Sequence, residues 1–86
     1  MDLNLHQKQG LNHLNKVLNY APLVAEDGRA TVHLTAEDWH VLHDTLFQMN
    51  TPRHLLPEAV REYRLAGSQR SIEVVTDDYV ITVDII

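Results

Sequence analysis

The sequence predicts a small α+β single domain, with a helix–hairpin–helix arrangement, a further helix and a C-terminal β-hairpin or strand pair. Two segments within the first fifty residues carry apolar side chains at helical spacing, which predicts two amphipathic helices. An Asp-Gly pair between these segments is typical of a tight hairpin turn. After residue 70 the apolar period changes to two and β-branched residues dominate, which predicts strands. A chain of 86 residues has room for one domain with a small core.

The first helix and the hairpin are predicted from the region up to residue 34. Four apolar residues share one helical face: Leu11, Leu14, Val17 and Leu18. The helix is expected to end at residues 20–22, because a residue that precedes proline leaves the helical region. Residues 23–25 are then a short strand candidate, and residues 26–29 contain the Asp-Gly turn. Alternation of apolar and polar residues over 30–34 predicts a strand that is buried on one face.

Two more helices and two strands are predicted in the remaining chain. Thr35-Ala36-Glu37-Asp38 is typical of a helix start, because Thr35 is able to cap the helix and the acidic residues lie in its first turn. An apolar stripe then continues as Trp39, Leu42, Leu46 and Met49. A third, shorter helical pattern begins near residue 55 and is expected to stop at Gly67, with Pro57 suited to a first helical position. Residues 72–76 and 79–86 are predicted strands, and an Asp-Asp pair forms the turn between them.

The residue types for catalysis or metal binding are present only in weak arrangements. His40 and His43 share a helix face beside Asp44, and two imidazoles at this spacing are able to chelate a metal. No third ligand follows at a diagnostic interval, so histidines on a solvated helix face are the expected arrangement. The sequence contains no nucleophile motif and no phosphate-binding glycine loop. The prediction is a protein that is not an enzyme and that holds no metal and no cofactor.

Charge and composition narrow the classes of partner. The formal net charge of −5 argues against a protein that coats nucleic acid, and the acidic residues concentrate in residues 21–50 and in the last sixteen. No apolar run is long enough for a membrane span, and the start lacks the pattern of a signal peptide. The absence of cysteine fits a reducing compartment. A cytoplasmic location without membrane contact is expected.

An ordered set of short motifs occupies residues 10–52. It comprises an amphipathic helix, an Asp-Gly turn at 27–28, Leu-Thr-Ala-Glu-Asp-Trp at 34–39, Asp-Thr-Leu-Phe at 44–47 and Thr-Pro at 51–52. In this order the set resembles the Phd/YefM family of toxin–antitoxin antitoxins. The resemblance covers about half of the chain. It implies that residues 1–52 form a dimerisation module and that residues 53–86 form a helix plus a β segment that binds a partner.

The resemblance also implies a function. Such a protein is expected to be an antitoxin-like inhibitor and a homodimer, which neutralises a small toxin, a RelE/YoeB-like ribonuclease or a Doc-like enzyme, through its C-terminal part. Weak binding of operator DNA would then fall to the basic residues Lys8, Lys16 and Arg29. The residues expected to bind the protein partner are Arg61, Tyr63, Arg64, Ile72, Val74, Tyr79, Ile81 and Val83.

Two alternatives remain open from the sequence. The strands after residue 70 either add to the sheet of a partner or complete the protein's own sheet, because both arrangements cover their apolar residues. The function is alternatively that of a small acidic phage-encoded inhibitor that acts on a host defence complex by protein–protein binding. Both functions require binding alone and no chemistry.

Overall fold

The computed structural model describes residues 3–68 and 70–86, so the first two residues of the predicted module 1–52 lie outside it. Helix α1 runs from Leu5 to Val24 and begins with a capping box. Asn4 Oδ1 accepts a hydrogen bond from the Gln7 N–H at 2.8 Å, and Gln7 Oε1 accepts one from the Asn4 N–H at 3.1 Å. The predicted end at residues 20–22 and the strand at 23–25 are wrong. Pro22 lies in the last turn, where the one backbone bond that it removes does not stop the helix.

The Asp-Gly turn lies at residues 26–29, as predicted, and strand β1 follows from Arg29 to Leu34. Asp27 and Gly28 have positive φ angles of 52° and 76°, the pattern of a type I′ turn. Glu26 and Arg29 exchange two backbone hydrogen bonds of 2.8 and 3.0 Å. Because α1 occupies the chain up to Val24, this turn closes on a single bridge and not on a hairpin of two strands.

Helix α2 runs from Ala36 to His43, with Thr35 Oγ1 accepting from the Asp38 N–H at 3.2 Å. A π-helical turn at Asp44–Gln48 continues it, so the predicted extent of this helix is confirmed. The third predicted helix is wrong. A 3₁₀ turn at Arg53–Leu55 and strand β2 at Glu62–Ala66 occupy that region.

The C-terminal hairpin is confirmed and lies inside the sheet. Strand β3 spans Ser71–Val75, strand β4 spans Val80–Ile85, and the sheet order is β1-β4-β3-β2. Strand β4 pairs in parallel with β1 and antiparallel with β3, which pairs antiparallel with β2. The strands after residue 70 therefore complete the protein's own sheet. Residues on both sides of the predicted boundary at 52 share one sheet and one core.

The helices cover one face of this four-stranded mixed sheet. Burial alternates along β1, β3 and β4, as expected for a sheet with one covered face. The Trp39 Nε1–H donates to the Val83 carbonyl oxygen at 2.8 Å and ties α2 to β4. The largest fully buried side chains are Leu14, Leu42, Ile72, Ile81, Val17, Val74, Val83 and Thr45. The result is a small α+β domain, but the predicted helix–hairpin–helix arrangement is absent from the described residues.

None of the helices in residues 3–68 and 70–86 combines the length and the apolar character that a membrane crossing requires.

Candidate protein-binding surfaces

Three loops meet at one end of the sheet and form a surface that we call the acidic end. The loops contain residues 26–28, 57–61 and 76–79. The Val80 N–H donates to the Gly28 carbonyl at 2.9 Å, which joins the first loop to the third, and the Arg61 N–H donates to the Val75 carbonyl at 2.8 Å, which brings in the second. The exposed carboxylates of this surface are those of Glu26, Asp27, Glu58, Asp77 and Asp78.

The acidic end carries a net negative charge. Its five carboxylates lie with the guanidinium groups of Arg29, Arg61 and Arg53, which leaves a local charge of −2. Arg53 belongs to this surface because its Nη2 donates to the carbonyl oxygens of Val60 and Arg61 at 3.1 and 2.6 Å. Arg61 is engaged by Asp77 through two hydrogen bonds of 2.8 Å, one from Nε to Oδ1 and one from Nη2 to Oδ2. These bonds, followed by the charge of the guanidinium group, lower the pKa of Asp77. Charge concentrated on one end gives a potential that attracts a basic surface.

Asp77→Asn is expected to lower the stability of the protein slightly at neutral pH and to have no effect in acid. Because the pKa of Asp77 is lower in the folded state, its ion pair contributes stability above the unfolded pKa, and this contribution is lost as the pH falls through the folded pKa. The urea midpoints of the wild type and the variant should differ above the ordinary pKa of 3.8 and converge below it. Asp78→Asn is the matched control, since Asp78 has no arginine bond among the described residues. A difference that persisted in acid would contradict the assignment to the ion pair.

A second surface lies along β1, which is an edge strand. The Val80 N–H donates to the Gly28 carbonyl and the Ile86 N–H donates to the Leu34 carbonyl, both at 2.9 Å. These two bonds show which residues of β1 direct their backbone groups towards β4 in the parallel ladder. Alternate residues of a strand bond to opposite neighbours, so the even-numbered residues of β1 face β4. The N–H and C=O groups of Thr31 and His33 therefore point away from the sheet, where a further strand would bond.

Apolar side chains flank this edge. A groove of about 580 Å³ lies between α1 and β1, and we call it the edge groove. Its lining residues are Lys16, Val17, Tyr20, Val24 and the stretch from Thr31 to Leu34. On the last turns of α1, Tyr20 is 50% exposed, Leu23 is 78% exposed and Val24 is 39% exposed. Exposed apolar side chains beside the open edge of a sheet are typical of a surface that another chain covers.

Four of the residues predicted to bind a partner lie in the protein's own core. Ile72, Val74, Ile81 and Val83 are fully buried between the sheet and the helices, because they occupy the covered face of β3 and β4. In this fold they do not reach a partner. The sequence pattern marked them correctly as apolar strand residues but left open which chain covers them.

The other predicted partner-binding residues are partly or fully accessible. Tyr63 is half-buried, with its ring 5.5 Å from that of Phe47, and Tyr79 lines a small pocket at the acidic end. Arg64 is exposed on the open face of the sheet and bonds Glu62 at 2.6 Å and Glu73 at 2.8 Å. Of this predicted set, Arg61 and Tyr79 belong to the acidic end.

The three basic residues predicted for DNA do not share one of the described surfaces. Arg29 lies at the acidic end beside Glu26 and Asp27, where the carboxylates oppose attraction to phosphate. Lys16 lines the edge groove, and Lys8 is exposed near the start of α1.

Histidines and carboxylates meet in pairs where α1 contacts α2 and the π-helical turn. His13 Nε2 is 3.5 Å from Asp38 Oδ1, and Asp44 lies 3.5 Å from both His6 Nε2 and His43 Nδ1. His6 Nε2 makes no hydrogen bond within the part of the chain that the structure describes, because 3.5 Å from Asp44 Oδ2 is longer than an ordinary hydrogen bond. Among the described residues no group of three or more candidate ligands is arranged to hold a metal ion.

Neither the carboxylates of the acidic end nor the edge groove was predicted as a site. The charge pattern located acidic residues in two separate segments, and only the pairing of β1 with β4 brings these segments together. Comparisons of the chain with protein-family models, with curated proteins and with solved structures give no match.

Proposed function

We propose that this protein is an antitoxin-like inhibitor that acts by binding a basic protein through its acidic end. The observation that carries the proposal is the convergence of five exposed carboxylates from three loops that are distant in sequence. Two of these loops lie in residues 53–86, so the C-terminal part still supplies much of the contact. The fitting target is a small basic toxin, such as an RNA-cleaving enzyme.

Electrostatic complementarity favours this kind of partner for a physical reason. An RNA-cleaving enzyme carries positive charge where it binds phosphate, and a carboxylate surface placed there blocks the substrate and competes for the same cations. Attraction between opposite charges raises the association rate above that of a neutral pair and weakens as salt is added. Inhibition by binding requires no catalytic group in the inhibitor.

Reversal of one carboxylate at the acidic end is expected to slow binding of the target. Asp78→Lys should reduce the association rate several-fold at low salt and little at high salt, because rim charges act mainly on the rate of encounter. When Glu58→Lys is combined with Asp78→Lys, the association rate should fall further. The control is Glu37→Lys, which changes the net charge equally at an exposed site outside the acidic end.

The measurement uses co-expression with the product of the adjacent reading frame, followed by surface plasmon resonance of the purified pair. Rescue of growth by the wild type and by Glu37→Lys, with weaker rescue by Asp78→Lys, is the expected result. A neighbour that is harmless when expressed alone, or equal rescue by all three proteins, would contradict the proposal.

A second candidate function is inhibition of a host defence complex by protein–protein binding. It is favoured by the position of β3 and β4 in the protein's own sheet, because an inhibitor that is folded before binding needs no segment that folds on its target. Affinity capture from host lysate distinguishes the two. Capture of a multi-subunit complex that handles nucleic acid favours the second candidate, provided that Asp78→Lys abolishes the capture and Glu37→Lys retains it. Capture of a single small ribonuclease favours the first candidate.

A further inference from the structure

We propose that a pocket where β1 and β4 end binds an arginine side chain of a protein partner. The pocket has a volume of about 220 Å³, and its lining residues are His33, Trp39, Ser71, Asp84 and Ile85. It lies at the opposite end of the sheet from the acidic end, because β1 and β4 run in parallel away from the Asp-Gly and Asp-Asp turns. This site is separate from the surface proposed for inhibition, and its test needs no target.

The sheet places the polar groups of the pocket in one row. His33 of β1 lies directly opposite Asp84 of β4 in the parallel register. Ser71 begins β3 on the other side of β4, and its hydroxyl donates to Asp84 Oδ1, which holds the carboxylate in position. The second oxygen, Oδ2, is accessible and accepts no hydrogen bond from the residues that the structure describes. The row therefore ends in an oriented carboxylate with one oxygen open to a ligand.

The carboxylate of Asp84 has no cationic partner in the part of the chain that the structure describes. No side-chain nitrogen of a lysine, arginine or histidine there lies within 4 Å of it, although Arg70 is close in sequence. The other two strand carboxylates, those of Glu62 and Glu73, both bond Arg64. Asp84 is thus the one described strand carboxylate to which no arginine is bonded, and an arginine from outside would complete it.

The indole ring of Trp39 supplies an apolar wall for this cation. Its only N–H donates to the Val83 carbonyl oxygen at 2.8 Å, so the ring adds no donor that competes for Asp84. Aromatic rings attract organic cations through their π electrons. A guanidinium group suits the pocket better than an ammonium group, because it is planar, less strongly hydrated and carries several donors in one plane. Ile85, which is 42% exposed, offers apolar surface to the aliphatic part of the arginine.

The lining residues favour an arginine within a polypeptide over the free amino acid. They include one carboxylate and neither lysine nor arginine. The α-carboxylate of free arginine would therefore find no cation in the pocket and would be repelled by Asp84. In a polypeptide the same group is an uncharged amide. The net charge of −5 also favours encounter with a basic protein.

Titration of the full chain with Nα-acetyl-argininamide at constant ionic strength tests the pocket. Trp39 is the only tryptophan of the sequence, so the emission of tryptophan reports on this site alone. A saturable change in emission is expected, with a dissociation constant in the millimolar range. Nα-acetyl-citrullinamide, which has a similar shape without the charge, should cause no such change. Nα-acetyl-lysinamide and free L-arginine should both bind more weakly than the arginine amide.

Asp84→Asn should weaken binding of Nα-acetyl-argininamide about fivefold or more, because it removes a charge-assisted hydrogen bond. It keeps an oxygen for the Ser71 hydroxyl, so the variant should have the circular dichroism spectrum of the wild type. Asp78→Asn is the matched control, since it changes the net charge equally at the acidic end and should leave the response of Trp39 unchanged.

Three results would overturn the pocket. The first is an equal loss of binding in Asp84→Asn and Asp78→Asn, and the second is equal binding of the arginine amide and either the citrulline or the lysine amide. The third is tighter binding of free L-arginine, which would indicate a site for an amino acid. Backbone amide shifts of Ser71 and Asp84 in the same titration give a second readout, and no change in emission or in these shifts would also overturn the pocket. The proposed inhibition would stand in each case, because it depends on the acidic end.

Discussion

Gly10→Ala is expected to destabilise the protein by about 2 kcal/mol or more, although alanine is the better helix former by about 1 kcal/mol. A Cβ atom on Gly10 would lie 1.9 Å from Thr45 Oγ1 and 2.5 Å from Thr45 Cβ. Thr45 is fully buried and its hydroxyl donates to the Val41 carbonyl at 2.8 Å, so its side chain has no space to rotate. The overlap must be relieved by separation of α1 from the π-helical turn, which opens the core.

Urea unfolding followed by circular dichroism measures this effect. Gly67→Ala is the control, because Gly67 has a positive φ of 77° and no atom of the described residues lies within 4 Å of the position that a Cβ would occupy. Its expected cost is therefore that of the backbone conformation, about 1 kcal/mol. Thr45→Gly combined with Gly10→Ala should recover part of the loss, since it removes the atoms that collide. A Gly10→Ala variant as stable as the wild type would show that α1 does not pack this closely.

The elements that the sequence predicts correctly depend on neighbours within a few residues. The Asp-Gly turn follows from the positive φ angles that these two residue types accept, and the cap of α2 follows from Thr35. The alternation in β1, β3 and β4 follows from one covered face. Local patterns of this kind carry enough information to place an element. The end of α1 is the exception, because the helix continues through Pro22 to Val24.

The region from 53 to 67 shows where a local pattern fails. Leu56, Val60 and Tyr63 have helical spacing, yet Leu56 and Val60 lie in loops and Tyr63 in β2. Tyr63 pairs with Val74 and Leu65 pairs with Ile72 across the antiparallel ladder, so the pairing with β3 decides the conformation. Pairing between strands overrides the local helix propensity, and a short stretch of sequence does not reveal it.

The candidate surfaces depend on one pairing that the local patterns do not contain. Strand β1 joins β4 in parallel, with Ala30 opposite Ile81, and this contact spans about half of the chain. It places the Asp-Gly turn beside the Asp-Asp turn, which creates the acidic end, and it leaves the far side of β1 as an edge. The resemblance to an antitoxin predicted a separate C-terminal binding segment, whereas the sheet order makes β4 a central strand.

Ile81→Asp is expected to unfold the isolated protein. Ile81 is fully buried in β4 between β1 and β3, and a carboxylate there would have no partner among the apolar residues around it. An unpaired buried charge costs on the order of 4 kcal/mol or more, which is comparable with the whole stability of a domain of this size. Loss of the far-ultraviolet circular dichroism signal and of slow amide exchange should both follow.

Ile86→Asp separates this effect from the general cost of an acidic residue near the C-terminus. Ile86 is 84% exposed and contributes its backbone N–H to the Leu34 carbonyl, a bond that any residue except proline makes. Its substitution should change the stability by about 0.5 kcal/mol or less. If Ile81→Asp stayed folded and lost only partner binding, the strands after residue 70 would act as a binding segment attached to a module that folds alone. Unfolding by Ile81→Asp with a stable Ile86→Asp shows instead that β4 is what holds β1 in the sheet, so that the acidic end and the β1 edge exist only when the C-terminal strands are in place.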